Sequence, residues 1–325
     1  MLTDHEGEGG KGMDAEAVRL ARQVSEGAVE WLGRMRGAFA LCRDVPDYEI
    51  DANQLKALSE LALAAGTVHR EAVAGHRCAA TAESLLEYAW RQFDEGELLY
   101  RLQVYTPAAT HPMEIYGLFA AVDLRHQRMD DLSAHLMGLR AARSTEHLPN
   151  RRLAVAASAR RIGVPIQDDI KALTDQTWLG GTPEPWMMDT NNAYGVTHTV
   201  FHLTDYGNDP DGLAEPLQDY LHLWLPVWVE VFAETRFWDL LLEFLIVGTC
   251  LKRPLFFPEV WRQVALAQQN DGMMPNGLTV PPAEAHLAWV NHHHPTIVAA
   301  VAGTLTVSRA LTLTTAAATA GAGSA

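Results

Sequence analysis

Helix-forming segments pair along this chain. The second member of each pair begins near residue 51, 111, 149, 192, 236 or 294, a step of roughly 38 to 60 residues and mostly near 45. Short alternating β-branched runs are missing, while alanine, leucine, arginine and glutamate recur at helical spacing. Start and stop signals predict helices near 14–40, 51–73, 80–100, 112–127, 130–144, 149–162, 166–178, 192–206, 214–233, 236–252, 257–270 and 294–313. A helical hairpin cannot bury its apolar face alone, so six such pairs must stack. They can do so as an open solenoid or as a ring of six inner and six outer helices. The expected fold is all-α, an (α/α)6 toroid or barrel of six hairpins in one domain over 14–313. Disordered tails are expected at 1–13 and 314–325.

Three of the second members open alike: "THPMEIYGLFAAV" from Thr110, "VTHTVFHLTDYG" from Val196 and "HHHPTIVAAVAGTL" from His292. Each places a histidine at the start of a helix rich in small residues. In a six-fold ring, alternate inner helices stand about 120° apart, so His111, His198 and His294 can point at one axis. Three imidazoles around an open position suit a divalent metal: zinc, iron or copper. Adjacent histidines cannot all face one ion, so at most one or two of His292, His293 and His294 would ligate. A histidine at a helix start equally serves as a hydrogen-bonding partner for free backbone groups.

His198, His202 and Asp205 follow at i, i+4 and i+7, which stacks them along one helical stripe. A stripe of proton-transferring groups fits a wet central funnel better than a core, and these three are the candidate catalytic residues. Glu114, Tyr116, Trp186, Tyr194 and Phe201 are the candidate substrate-binding residues, with Tyr105 beside them. The glycine- and proline-rich stretch "TWLGGTPEPWMMDTNNAYG" reads as a binding loop or lid, as does "NGLTVPPAEAHLAWVNHHHP" before the last helix.

The segment "EVWRQVALAQQNDGMMPNG" carries a resemblance to known proteins. Gln268 and Gln269 followed by Asp271 and Gly272 are similar to the glutamine–aspartate–glycine turn that ends outer helices in terpene cyclases. The chain thus resembles the α/α-toroid group, which also holds protein prenyltransferases and lanthionine cyclases. Met273 and Met274 stand where that turn has an aromatic. "FHLTDYG" after "THT" also resembles an uncharacterised helical family found in bacterial natural-product gene clusters. The aspartate-rich motif of class II terpene cyclases is missing, as are the zinc ligands of prenyltransferases and the cysteine ligands of lanthionine cyclases. Those three activities are not carried over.

A net charge of −15 argues against nucleic-acid or anionic-membrane partners, which need a basic footprint. Cys42, Cys78 and Cys250 are far apart and without CxxC spacing, which points to a reducing cytoplasm. The opening residues lack the basic start and apolar run of a signal peptide. "WDLLLEFLIVGTCL" holds Asp239 and Glu243 and is too short to span a bilayer, so it suits a buried core helix. The expected function is a tailoring or cyclising enzyme acting on a small, largely apolar metabolite in natural-product biosynthesis. The alternative is a non-catalytic helical-repeat scaffold with a protein partner.

Overall fold

The computed structural model describes residues 14–278 and 284–322, and the expected tail at 1–13 lies outside them. Among the described residues every regular element is helical and no strand occurs. The helices are α1 (Ala15–Arg34), α2 (Ala52–Glu71), α3 (His76–Gln92), α4 (Glu97–Tyr105) and α5 (His111–Ala120). There follow α6 (Gln127–Gly138), α7 (Arg140–Ser144), α8 (Pro149–Ile162), α9 (Ile170–Asp175) and α10 (Thr190–Thr204). The last are α11 (Glu215–Glu234), α12 (Trp238–Cys250), α13 (Pro258–Ala267) and α14 (Ala285–Ala322).

Six of these pack in a closed circuit. α14 lies on α2, α2 on α5, α5 on α8, α8 on α10, α10 on α12, and α12 again on α14. They are the elements the sequence period marks as second members of pairs. The others lie against single members or against each other: α3 on α2 and α1, α9 on α8, α11 on α12, and α13 on α1. α12 shows what a place in the circuit demands, because all of its residues are buried. A helix apolar on every side has no solvent face, so its two acids must find partners inside.

Local chemistry explains where the helices begin and end. Asp14, Asp51, Asp169 and Asp189 cap α1, α2, α9 and α10, each accepting a bond from a backbone amide in the first turn. Gly163 ends α8 with a φ of +85°, a conformation that glycine adopts without a Cβ clash. The expected helix over 80–100 is broken, since Asp94, Glu95 and Gly96 all take positive φ and split it into α3 and α4. Likewise the stretch at 130–144 divides into α6 and α7, so the described residues hold fourteen α-helices rather than twelve.

The glutamine–aspartate–glycine turn is a clamp. Gly272 has a φ of +92°, and a Cβ there would lie 2.0 Å from the Gly27 carbonyl oxygen of α1. Gln268 Nε2 donates to the Val24 carbonyl and to the Gly272 carbonyl, both at 2.9 Å. Met274 N then donates to Thr296 Oγ1 of α14 at 3.0 Å. The turn therefore ties α13 to the first and last helices.

α14 departs from expectation at both ends. It starts at Ala285, within the stretch read as a loop, and runs to Ala322 through residues read as a disordered tail. Alanine and threonine dominate that final stretch, and alanine is the best helix former. By length and composition α14 is able to cross a membrane, but 72% of its most apolar window is buried within the protein.

Candidate metal centre and central cavity

The circuit encloses space lined by side chains from all six of its helices. One lobe, about 320 Å³, is bordered by Glu60 of α2, Arg151 of α8, His198 of α10, Glu243 of α12 and His294 of α14, among others. A wider lobe of about 490 Å³ opens beside it toward Asn53, Lys56, His111 and Arg161. The lobes share Glu60, Leu63, Glu114, Arg151, Ala154, His202 and Tyr206. Apolar residues line much of the inner lobe, including Phe201, Ile246, Ile297 and Val301.

Asp239 and Glu243 sit one turn apart on α12, so both carboxylates leave the helix on the same side. Opposite them stands His294, one residue before Pro295, whose ring nitrogen has no hydrogen to donate to the preceding turn. Ligand atoms of Asp239, Glu243 and His294 all lie within 4.8 Å of one another. His294 Nδ1 is 2.9 Å from Glu60 Oε2, a hydrogen bond that fixes the ring and leaves Nε2 facing the α12 carboxylates. Nε2 approaches Asp239 Oδ1 to 3.2 Å, yet Oδ1 has no hydrogen-bond partner. Asp239 is only 5% exposed, so this buried oxygen is left with the ion pair to His294 alone. The protonated ring thus stands as an ion pair with Asp239, and a cation bound between them would have to displace the proton on Nε2.

The surroundings hold these carboxylates in place. Tyr194 Oη donates to Asp239 Oδ2, and Thr197 Oγ1 donates to Glu243 Oε2. Burial drives Asp239 above the usual carboxylate range, with help from Glu243 and against His294. Burial also works against charge on His294, but the Glu60 bond and the charges of Glu60, Asp239 and Glu243 outweigh it and carry the ring up to about 9. Glu60 is held low, because His294 more than offsets its desolvation. Burial raises the Tyr194 hydroxyl, reinforced by Asp239.

His198 and His202 share one stripe of α10, as their spacing predicts, and both border the inner lobe. Their states differ. His198 Nε2 lies 3.8 Å from Glu243 Oε1, and this carboxylate raises its pKa against the effect of burial. Burial drives His202 well below its usual value, and the charges of His198, Arg161, Arg151 and Arg160 add to the effect. An imidazole kept neutral thus stands beside one that favours its proton.

Asp205 does not extend the stripe. The helix stops at Thr204, and Asp205 is its left-handed cap, with a φ of 48°. Its carboxylate is bound by Arg161, with Nε at 2.7 Å, and it borders neither lobe. The three-histidine centre is not assembled either. Of His111, His198 and His294, only His294 belongs to the group placed to hold an ion. His111 lines the wider lobe, while His198 turns to Glu243. His198 and His294 both border the inner lobe, whereas His111 lines only the wider one. Neighbouring helices α12 and α14 bring together the groups that could hold an ion instead.

Glu114 and Phe201 line the cavity as expected. Tyr116 points the other way: it is fully buried, donates to Asp130 Oδ1 at 2.6 Å, and burial raises it to about 12. Tyr194 acts through Asp239 rather than on the cavity wall. Trp186 is 75% exposed, and the loop that carries it is pinned to α11, where Tyr220 and Trp228 donate to the carbonyls of Pro183 and Pro185. No residue of that loop borders either lobe, so it is not the lid its composition suggests. Tyr105 is exposed and stacks on Tyr48. His292 is buried and accepts from Asn276 N, and His293 stacks on Trp289. Cys42, Cys78 and Cys250 are all free, and burial raises Cys78 to about 12 and Cys250 to about 11, which keeps both as inert thiols.

A family match covers this whole arrangement, from within α1 to within α14. The chain belongs to the family described as Domain of unknown function (DUF6895), matched over residues 25–304. No curated protein and no solved structure matches the chain. The matched span includes Glu60, Asp239, Glu243 and His294, so the candidate centre lies wholly within the family domain.

Asp239, Glu243 and Glu60 are the residues that motif reading missed. Their signal was present. Two acids one turn apart in "WDLLLEFLIVGTCL" interrupt a helix that is otherwise apolar all round, and a buried charge requires a partner.

Proposed function

We propose that the six-helix circuit is the inner ring of an (α/α)6 toroid, and that the protein is a metal-dependent enzyme working on a small molecule inside it. Asp239, Glu243 and His294 would hold a divalent first-row ion, with Glu60 orienting His294. The convergence of ligand atoms of Asp239, Glu243 and His294 within 4.8 Å of one another carries this reading. Three protein ligands leave coordination positions for water or substrate, as in catalytic rather than structural sites. The ion would supply Lewis-acid polarisation or an activated water.

The chain's own residues supply the rest. His202 is held neutral in the cavity wall, and His198 is placed to hold a proton against Glu243. Ile246, Ile297, Val298 and Val301 suit the apolar body of a substrate whose polar group reaches the metal. That profile fits a tailoring or cyclising enzyme of natural-product type. A closed circuit around a cavity favours a small ligand over the extended protein partner of a solenoid scaffold. The net charge of −15 and the free cysteines fit a cytoplasmic setting without nucleic-acid or membrane partners.

Elemental analysis of the purified protein, before and after chelation and reloading with Mn²⁺, Fe²⁺ or Zn²⁺, tests the proposal. One ion per chain is expected. Glu243→Gln should abolish retention, and Glu60→Gln should weaken it by about 10- to 100-fold, the usual effect of losing a ligand's orienting partner. A folded protein that retains and rebinds none of these metals overturns it.

A further inference from the structure

Behind the wall of the central cavity lies a second pocket, of about 170 Å³ and partly open to the surface. It is bounded by the end of α4, the start of α5, α6, α7 and the outward face of α8. Met113, Met137 and Val155 give it an apolar wall. With the wider lobe of the central cavity it shares Ala109 alone, so nothing about it depends on the proposed metal centre.

Two polar side chains on its lining are anomalous. Gln103 is 2% exposed and Ser133 is 1% exposed, and neither Gln103 Oε1 nor Ser133 Oγ has a hydrogen-bond partner. The orientation of the Gln103 amide is set by its surroundings. Nε2 faces the carbonyl oxygens of Ala109 at 2.9 Å, Pro107 at 3.3 Å and Thr106 at 3.4 Å. A flipped amide would set an oxygen against three oxygens, so Oε1 is the free atom and can only accept. Leaving such a group buried and unpaired is costly, and a native fold tolerates it where something else completes the bond.

We infer that this pocket is a binding site for a compact, mostly apolar molecule carrying an O–H or N–H donor. The donor bonds Gln103 Oε1, while Ser133 Oγ, which can donate or accept, takes the ligand's second polar contact. Size supports a ligand of about one ring, since an engineered apolar cavity of about 150 Å³ holds benzene. The Arg152–Asp168 ion pair closes one side of the lining with both charges already matched. The site therefore takes a neutral ligand rather than an ion.

Phenol and toluene have nearly the same shape and differ in the donor, so they are the probes. Both are titrated into isotopically labelled full-length protein, with the Gln103 side-chain amide and neighbouring backbone amides followed by NMR. Phenol should perturb these signals and bind about tenfold tighter than toluene, the discrimination expected of a buried acceptor that one ligand satisfies. In Gln103→Leu that preference should fall to about one. Ser133→Ala, which leaves the Gln103 turn untouched, should keep the fold and reduce phenol affinity severalfold. Equal affinity for the two probes, as when a water already satisfies Oε1, overturns the inference. So does phenol binding that perturbs signals elsewhere, or that is unchanged in both variants.

Discussion

Where α1 meets α14 small residues bring the two backbones into contact, whereas where α8 meets α5 and α10 a close approach of Gly117 to Ser158 is flanked by arginine bridges. On the first side, Gly303 of α14 sits so close to α1 that a Cβ would lie 2.4 Å from the Ala21 carbonyl oxygen. Ser25 Oγ bonds the Ala300 carbonyl at 3.0 Å and Thr304 Oγ1 at 2.8 Å across the same seam. On the second side, Arg151 reaches Glu114 of α5, Arg160 reaches the His202 carbonyl of α10, and Arg161 reaches Asp205 at the α10 cap. The consequence is a division of labour. Small residues let α14 and its neighbours close tightly, and the proposed metal ligands stand on that rigid wall. Arginine bridges extend the contacts of α8 beyond the close Gly117–Ser158 approach, and open volume lies on both its faces, the wider lobe on one and the outer pocket on the other. Fixed geometry and free space come from different packing chemistries.

The largest expected effect tests the tight side. Gly303→Ala places a methyl where the Ala21 carbonyl and Ser25 Cβ already stand, at 2.4 and 2.8 Å, so the helices must separate. We expect a loss of about 3 kcal/mol in urea denaturation, at the upper end for an overpacked core. A loss below about 1 kcal/mol would show that the seam gives way easily, and the contrast between the two sides would collapse.

That seam also marks what the sequence could convey. The starts of α2, α5, α8, α10 and α12 fall within two residues of their expected positions, and the start signals Asp51, Pro112, Pro149 and Asp189 mark four of them. The outer helices were less legible. α3 and α4 are separated by three consecutive positive-φ residues, two of them acids that composition alone does not mark as a break. In the site, the i, i+4 pair His198 and His202 was legible, since a helix fixes such neighbours by itself. The convergence of Asp239, Glu243 and His294 joins α12 to α14 and depends on their packing, which no local pattern encodes. Asp205 misled because a cap and the next turn of a stripe occupy the same place in the sequence.

The arginine side should answer to pH instead of volume. Burial alone would raise Asp205, but the charge and hydrogen bond of Arg161 hold it below the usual carboxylate range. A depressed folded value means that the ionised form stabilises the fold. That contribution is complete above the unfolded pKa of about 4 and is lost as pH falls through the lower folded value. Asp205→Asn isolates the charge, because asparagine also tolerates the left-handed conformation at this cap. At pH 7 the variant should be less stable by about 2 kcal/mol, and the gap to the parent should narrow as pH drops below about 4. A gap that is constant from neutral to acid pH would assign the effect to shape, and the ionic account of this side would fail.

The smallest effect has the opposite sign. Gly138 ends α6 next to Met137 and Leu139, both of which line the outer pocket. Nothing lies within 4 Å of a Cβ added there, and its φ is not positive. Alanine therefore meets no clash, and it removes backbone freedom from the unfolded chain that folding must otherwise suppress. Gly138→Ala should raise stability by about 0.5 kcal/mol, against the large loss expected for the same substitution at Gly303. Thermal melts of the two variants beside the parent read both signs in one experiment. The pair is informative because the chemical change is identical and only the surroundings differ. If Gly138→Ala is destabilising by as much as Gly303→Ala, the α6 side is packed as tightly as the α1–α14 seam. Space for a ligand beside Met137 would then be hard to reconcile with so close a fit.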